Sequence, residues 1–370
     1  MRGWLAGFAV CILVLSLRAR AADEPKAVAP KAGGPSSSDN LPPEPQLKIR
    51  PPRLTDQPDP QKLAETMLER ARLLSDIRGP NAPAFRLKAA FSFIGDELET
   101  FEGTYTEYWE SDAKWRREIE VGSRKKIEIA NGRKLWEIES DPMLPEKALR
   151  VEFAARVFPA MTDALEFESV DNVPDKNGVT CAISKPAGFS HAKSALCFDQ
   201  ARGALLEYIV PQWTRYHITD FSCSYGDFKK FGDRWFPFEV ACRQDGHRQM
   251  EVHVSELAGK DFVDARLFEP PTAGALELGH CITGEVAAKP NYAPAPLQPA
   301  GMGDRTLPVT LRLVVDANGK PGNIQVVRPV SKSLDELAVG TVGRWRFKPA
   351  TCNGEPMAQR LEFEVAFRPD

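Results

Sequence analysis

The chain has 370 residues, 42% of them hydrophobic and 27% charged, with a formal net charge of −3 at pH 7. That length accommodates two domains with ordinary cores, and the near-neutral balance leaves no basic surplus of the kind that holds nucleic acid or a strongly anionic surface. Its seven cysteines and five histidines are scattered rather than clustered.

Arg2 precedes an apolar run from Trp4 to Leu17, and Ala19–Arg20–Ala21 supplies small residues where a signal peptidase reads, so residues 1–21 form a signal peptide cleaved before Ala22. A spanning helix needs about 20 apolar residues and this run has fewer. The expected location is the periplasm; the alternative is an uncleaved helix anchored in the inner membrane and facing the periplasm. Cys11 leaves with the signal, and Cys181, Cys197, Cys223, Cys242, Cys281 and Cys352 remain. An even number in an exported chain points to disulfides. Proximity suggests Cys181 with Cys197 and Cys223 with Cys242, and the third pair would then be Cys281 with Cys352. No Cys-x-x-Cys and no His-x-x-x-His occurs, so neither a metal nor a cofactor is expected.

Residues 22–58 are rich in Pro, Ala, Ser and Gly and read as an extended linker reaching up to about 110 Å at roughly 3.1 Å per residue. Asp59 and Pro60 suit a helix cap and first turn, and Leu63, Met67, Ala71 and Leu74 mark the apolar stripe of a helix ending near Ser75. Strands follow at Phe85–Phe93, Phe101–Trp109, Trp115–Val121, Lys126–Ala130 and Leu135–Ile138, with Asn131–Gly132 as a hairpin signal. The pattern turns helical over Pro145–Phe158. Further strands are expected at Thr180–Ser184, Ser194–Asp199, Leu205–Val210, Tyr216–Tyr225, Arg234–Arg243 and Gln249–Leu257, and Phe268–Glu269–Pro270–Pro271 closes a domain over 59–271. The expectation is a mainly β fold with a curved antiparallel sheet or open barrel and helices.

Gly103–Thr104–Tyr105 through Trp109, Trp115–Arg116–Arg117–Glu118, Ile129–Ala130–Asn131–Gly132–Arg133–Lys134–Leu135–Trp136 and Phe231–Gly232–Asp233–Arg234–Trp235–Phe236–Pro237 resemble the periplasmic lipoprotein carriers of the LolA type. The resemblance implies a concave face able to hold lipid or another acyl ligand, with Phe91, Phe93, Tyr105, Trp109, Trp115 and Trp136 as its aromatic candidates; the same residues read equally as core. Arg116–Arg117 is either a solvated strand face or a ligand contact.

After a connector over 272–304, residues 305–370 read as a small α+β unit of order β-β-α-β. Val309, Leu311, Leu313 and Val315 alternate with Thr310, Arg312 and Val314 as in a half-buried strand, and Asp316–Gly319 turns the chain into a second strand through Ile324 and Val326. Ser333 and Glu336 have capping-box spacing, Pro349 lies beyond the helix, and Leu361, Phe363, Val365 and Phe367 alternate with Glu362, Glu364 and Ala366 in a last strand. The hairpin, Leu334–Asp335–Glu336, Trp345–Arg346–Phe347–Lys348–Pro349–Ala350, Asn353–Gly354–Glu355–Pro356 and the closing strand resemble the C-terminal domain of TonB energy transducers. That resemblance implies that residues 361–367 offer a sheet edge to an extended peptide from an outer-membrane receptor or other envelope protein. Glu362 and Glu364 either set the register of such a peptide or guard the edge against aggregation.

His191, His217, His247, His253 and His280 lie far apart, and no nucleophile elbow or phosphate-binding loop occurs. The chain reads as a non-enzymatic TonB-family periplasmic transport adaptor. The alternatives are a carrier of lipid or lipoprotein acting through the larger domain, and a membrane-anchored energy transducer.

Overall fold

Phe85, Leu87, Ala89, Phe91 and Phe93 all point to one side of β1 (Phe85–Ile94), because strand side chains alternate, and each is 3% exposed or less in the computed structural model. The structure describes residues 59–78, 82–95, 97–140, 143–158, 165–173, 178–185, 192–213, 218–259, 264–271, 274–299 and 308–368. The signal peptide, the linker, His191 and His217 lie outside them.

Asp59 caps α1 (Pro60–Ser75) by accepting the Gln61 N–H at 3.1 Å, and Pro60 takes the first-turn position that needs no donor. After β1 come β2 (Thr100–Ser111), β3 (Lys114–Val121), β4 (Arg124–Asn131) and β5 (Lys134–Glu139), then a 3-10 turn over Glu146–Arg150 leading into α2 (Val151–Ala154). A second meander runs through β6 (Phe167–Asn172), β7 (Val179–Ser184), β8 (Ala195–Asp199), β9 (Leu205–Trp213), β10 (Ile218–Phe231), β11 (Arg234–Gln244) and β12 (His247–Gly259). With β13 (Leu276–Gly279) these strands form one 13-stranded antiparallel sheet in which β1 pairs with β12 and joins the two meanders. The sheet is curved and does not close into a barrel. α1 lies against β6 and β11 and α2 against β11 and β12, and one continuous apolar core fills the inner face.

Cys223 stands directly opposite Cys242 on that inner face, and Cys181 opposite Cys197 on the other. Both pairs are disulfide-bonded, with Cα atoms 4.0 Å apart, and a third disulfide joins Cys281 to Cys352 across 71 residues.

The C-terminal unit contains β16 (Val309–Val315), β17 (Pro321–Arg328), α3 (Lys332–Val342) and β21 (Gln359–Val365), with sheet order β17-β16-β21. Before it, β14 (Glu285–Val286) pairs with β19 (Ala350–Cys352), which also pairs with β20 (Glu355–Met357), and β15 (Lys289–Tyr292) pairs with β18 (Arg346–Lys348). The helix begins two residues earlier than the Ser333 spacing implied. Ser331 is the N-cap, its hydroxyl accepting the Leu334 N–H at 3.4 Å, while Asp335 accepts the Val330 N–H at 3.0 Å. Asp335 thus takes the reciprocal role that Glu336 was expected to fill.

Gly319 is set at φ +79, and a side chain there would strike the Phe347 carbonyl, whose own N–H donates to the Gly319 carbonyl at 2.9 Å. Gly232 has φ +57 with open space around it. Gly319→Ala is therefore expected to lower stability by about 2–3 kcal/mol in denaturant unfolding, against about 1 kcal/mol for Gly232→Ala, where backbone strain acts alone.

Candidate functional site

Within the C-terminal unit β16 is the central strand, and β21 pairs with it from Val309 opposite Val365 to Val315 opposite Gln359. No strand among the described residues pairs with the outer side of β21. Its ends are tied down. The Gly279 N–H donates to the Ala358 carbonyl at 2.8 Å, and beyond β21 Arg368 makes a parallel bridge with Leu297. Between these ties the strand leaves backbone N–H and C=O groups along one edge, which an added strand can satisfy.

The side chains of this segment divide by alternation. Leu361, Phe363, Val365 and Phe367 pack toward α3, where Phe363 stacks on Trp345 with centroids 5.4 Å apart. Glu362, Glu364 and Ala366 point the other way and are exposed. The indole Nε1–H of Trp345 donates to the Pro294 carbonyl at 3.1 Å, so this aromatic pair also holds the segment after β15.

The half-buried reading of β16 needs correction, because all seven of its residues are buried. Thr310, Arg312 and Val314 alternate with the residues that pack toward α3, and Arg312 meets the end of the large sheet. Arg312 Nη1 lies 3.5 Å from Glu139 Oε2 and its Nε 3.1 Å from Glu362 Oε2, and Arg360 is paired with Glu137 and lies 3.8 Å from Glu139. Burial pushes the Glu137 carboxyl up against the pull of Arg360 and Lys126. At the rim of the same face Arg328 Nη2 meets Glu146 at 2.6 Å. Glu362 is thus part of an ion-pair ladder rather than a free edge carboxylate.

On the large sheet, Phe91, Phe93 and Tyr105 are closed core residues, each 3% exposed or less, with Phe93 stacked on Phe101 at 5.1 Å. Trp136 lies on the opposite face from the other five aromatic candidates: its pairing partners there are Ile129 and Glu277, and its Nε1–H donates to Glu277 at 3.2 Å. That face is covered locally by the 3-10 turn Ala265–Phe268, which leaves Phe268 1% exposed. Trp109 and Trp115 stand opposite one another and wall a cavity of about 480 Å³.

Sequence reading missed the groups between them. Glu107 is wholly buried on the inner face and receives Arg78 through two nitrogens, Arg117 Nε at 3.3 Å and the Tyr105 hydroxyl at 3.1 Å. Burial alone would raise its carboxyl, but Arg78 and Arg117 outweigh it and hold Glu107 down to about 2. Arg117 also lies 3.6 Å from Glu152, which burial and the Glu128 carboxylate push up to about 7. The signal was in the alternation: Tyr105, Glu107 and Trp109 share a face, so a carboxylate on an aromatic stripe requires a buried cation. Arg116 and Arg117 divide accordingly, Arg116 pairing with Glu118 on the outer face and Arg117 turning inward.

A search of curated proteins found no match. Among solved structures the chain is similar to a LolA superfamily protein from Nitrosomonas europaea, 14% identical with a TM-score of 0.37, over 56% of this chain and 97% of that one. It is also similar to a putative outer membrane lipoprotein-sorting protein domain from Vibrio parahaemolyticus (12% identity, TM-score 0.35, 57% and 97% covered), and to a DUF1329 family protein from Desulfovibrio piger (11%, 0.37, 57% and 98%). Residues 305–369, the segment that carries β16, β17, α3 and β21, match the family described as Gram-negative bacterial TonB protein C-terminal.

Proposed function

We propose that the chain is a non-enzymatic adaptor of the periplasm whose β21 edge takes up an extended peptide from an outer-membrane receptor or other envelope protein. The observation that carries this reading is the terminal position of β21 in its sheet, within a segment matching the TonB C-terminal family. Three disulfides fit export to an oxidising compartment. Main-chain bonds along residues 361–367 supply affinity and the alternating outward row sets register; with Glu362 held by Arg312, it is the exposed Glu364 that gives a preference for a basic side chain.

Peptides selected from a random phage-displayed library on the oxidised full chain provide the test. The expected winners are extended, β-prone sequences with one Lys or Arg set against Glu364, weakened about fivefold by Glu364→Lys. Winners that bind Glu364→Lys as tightly as the parent, or a library that yields none, would sink the reading.

A further inference from the structure

The formal net charge of −3 hides a local surplus of the opposite sign. Residues 286–299 and 337–354 contain Lys289, Arg344, Arg346 and Lys348 and no Asp or Glu. Pairing of β15 with β18 brings the two stretches onto one two-stranded ribbon, where Lys289 stands directly opposite Lys348 and Tyr292 directly opposite Arg346. Residues paired in this way share a face, and a register shift at Asn291 turns Tyr292 to the side of the two lysines. The other side is anchored. Phe347, between Arg346 and Lys348, is buried in the core of the C-terminal unit. All four cations are exposed, and Tyr292 is 59% exposed.

Two lysines directly opposite one another repel, so the fold gains nothing from the pair. Elsewhere exposed lysines meet carboxylates, Lys134 with Glu277, Lys185 with Glu166 and Lys193 with Glu168. Lys289, Arg344, Arg346 and Lys348 make no ion pair among the described residues, Arg346 donating instead to the Trp345 carbonyl at 2.7 Å. The carboxylates nearest the two lysines in sequence are engaged by other groups, Glu285 by Gln359 Nε2 at 2.6 Å and Glu355 by Arg133. A row of cations left unopposed is complementary to an anionic partner. The Tyr292 ring within the row, with Leu297 50% exposed farther along the same segment, adds apolar surface next to the charges. A phospholipid surface has that layering, phosphates over an apolar boundary, and each Lys or Arg held near it strengthens binding about fivefold. An acidic peptide answers the charges alone. We propose that this face of the β15–β18 ribbon docks on a membrane surface rich in anionic phospholipid, with the lysines and arginines on the lipid phosphates and Tyr292 at the apolar boundary. It makes no use of the β21 edge and stands whether or not that edge binds peptide.

The test is co-sedimentation of the oxidised protein, purified from the envelope in the form cells export, with vesicles of phosphatidylcholine alone or of phosphatidylcholine and phosphatidylglycerol in equal parts. Partitioning onto the mixed vesicles is expected to be at least about tenfold stronger and to weaken with added salt. Lys289→Gln with Lys348→Gln should lower it about tenfold and leave the melting temperature unchanged or slightly raised, since a repulsive pair is removed. Lys185→Gln with Lys193→Gln makes the same change in net charge outside the ribbon and should lower it less than about twofold. Soluble poly-L-glutamate at a matched concentration of charge should displace little of the bound protein. Equal partitioning onto the two vesicle types, equal losses from the two lysine pairs, or complete displacement by poly-L-glutamate, which would make the partner an acidic chain, would overturn the assignment.

Discussion

Glu107→Gln is expected to lower the stability of the large lobe by about 3–5 kcal/mol, a fall of roughly 10 °C in melting temperature. The substitution leaves Arg78 and Arg117 facing each other at a site where Glu107 is wholly buried. By contrast Glu277→Gln, which breaks the exposed pair with Lys134 at 2.9 Å, should change stability by no more than about 0.5 kcal/mol. The same cluster sets a pH profile. Glu107 has a folded value of about 2 against 4.5 as an ordinary glutamate, so its stabilisation is complete above 4.5 and is lost as pH falls toward 2. Glu152 has the opposite sign. Its folded value of about 7 lies above 4.5, so the folded state holds a proton through that window and stability declines as pH rises across it. Stability should therefore peak near the lower end of that window. Glu107→Gln should flatten the acid limb, Glu152→Gln the other, and chemical denaturation across pH reads both.

Replacing Cys281 and Cys352 together with serine should cost about 4 kcal/mol by the chain-entropy model, more than the loss of Cys181–Cys197, because it closes 71 residues against 16. The effect should fall on the C-terminal unit. The bridge fixes the segment next to β14 against β19, and with it gone the unit is held to the large sheet chiefly by the Arg312 and Arg360 ion pairs and by β13 near β21. Calorimetry is expected to show the single transition of the parent splitting, with the C-terminal unit melting first. An undivided transition at the parent's temperature would contradict this placement of the bridge.

The inner stripe of β1, the α1 cap at Asp59 and the hairpin at Asn131–Gly132 were legible because each depends on neighbours in sequence. β6 and β13 were not, since Phe167–Asn172 and Leu276–Gly279 are strands by virtue of the sheet edges they complete and carry little alternation of their own. The burial of Arg312 was invisible for a related reason: its partner Glu139 lies more than 160 residues earlier. A local pattern reports which face a strand hides within its own unit, and a second covered face needs the other lobe. The site divided in the same way. The edge at residues 361–367 was implied only by the family resemblance, and in the structure the terminal strand covers Gln359–Val365; the aromatic candidates did not separate core from wall, since Phe91, Phe93 and Tyr105 are core, Trp136 faces outward, and Trp109 and Trp115 alone among them reach the cavity. Arg78 and Glu107 come from separate segments, and only the alternation around Glu107 hinted at them.

Peptide uptake at β21 is tested most directly by amide hydrogen exchange in the oxidised full chain, with and without a selected library peptide. Slower exchange of amides within residues 360–367 is expected, with the cavity-wall residues 109–117 unchanged. Protection at 109–117 with β21 exchanging as in the free chain would place the peptide elsewhere and contradict it.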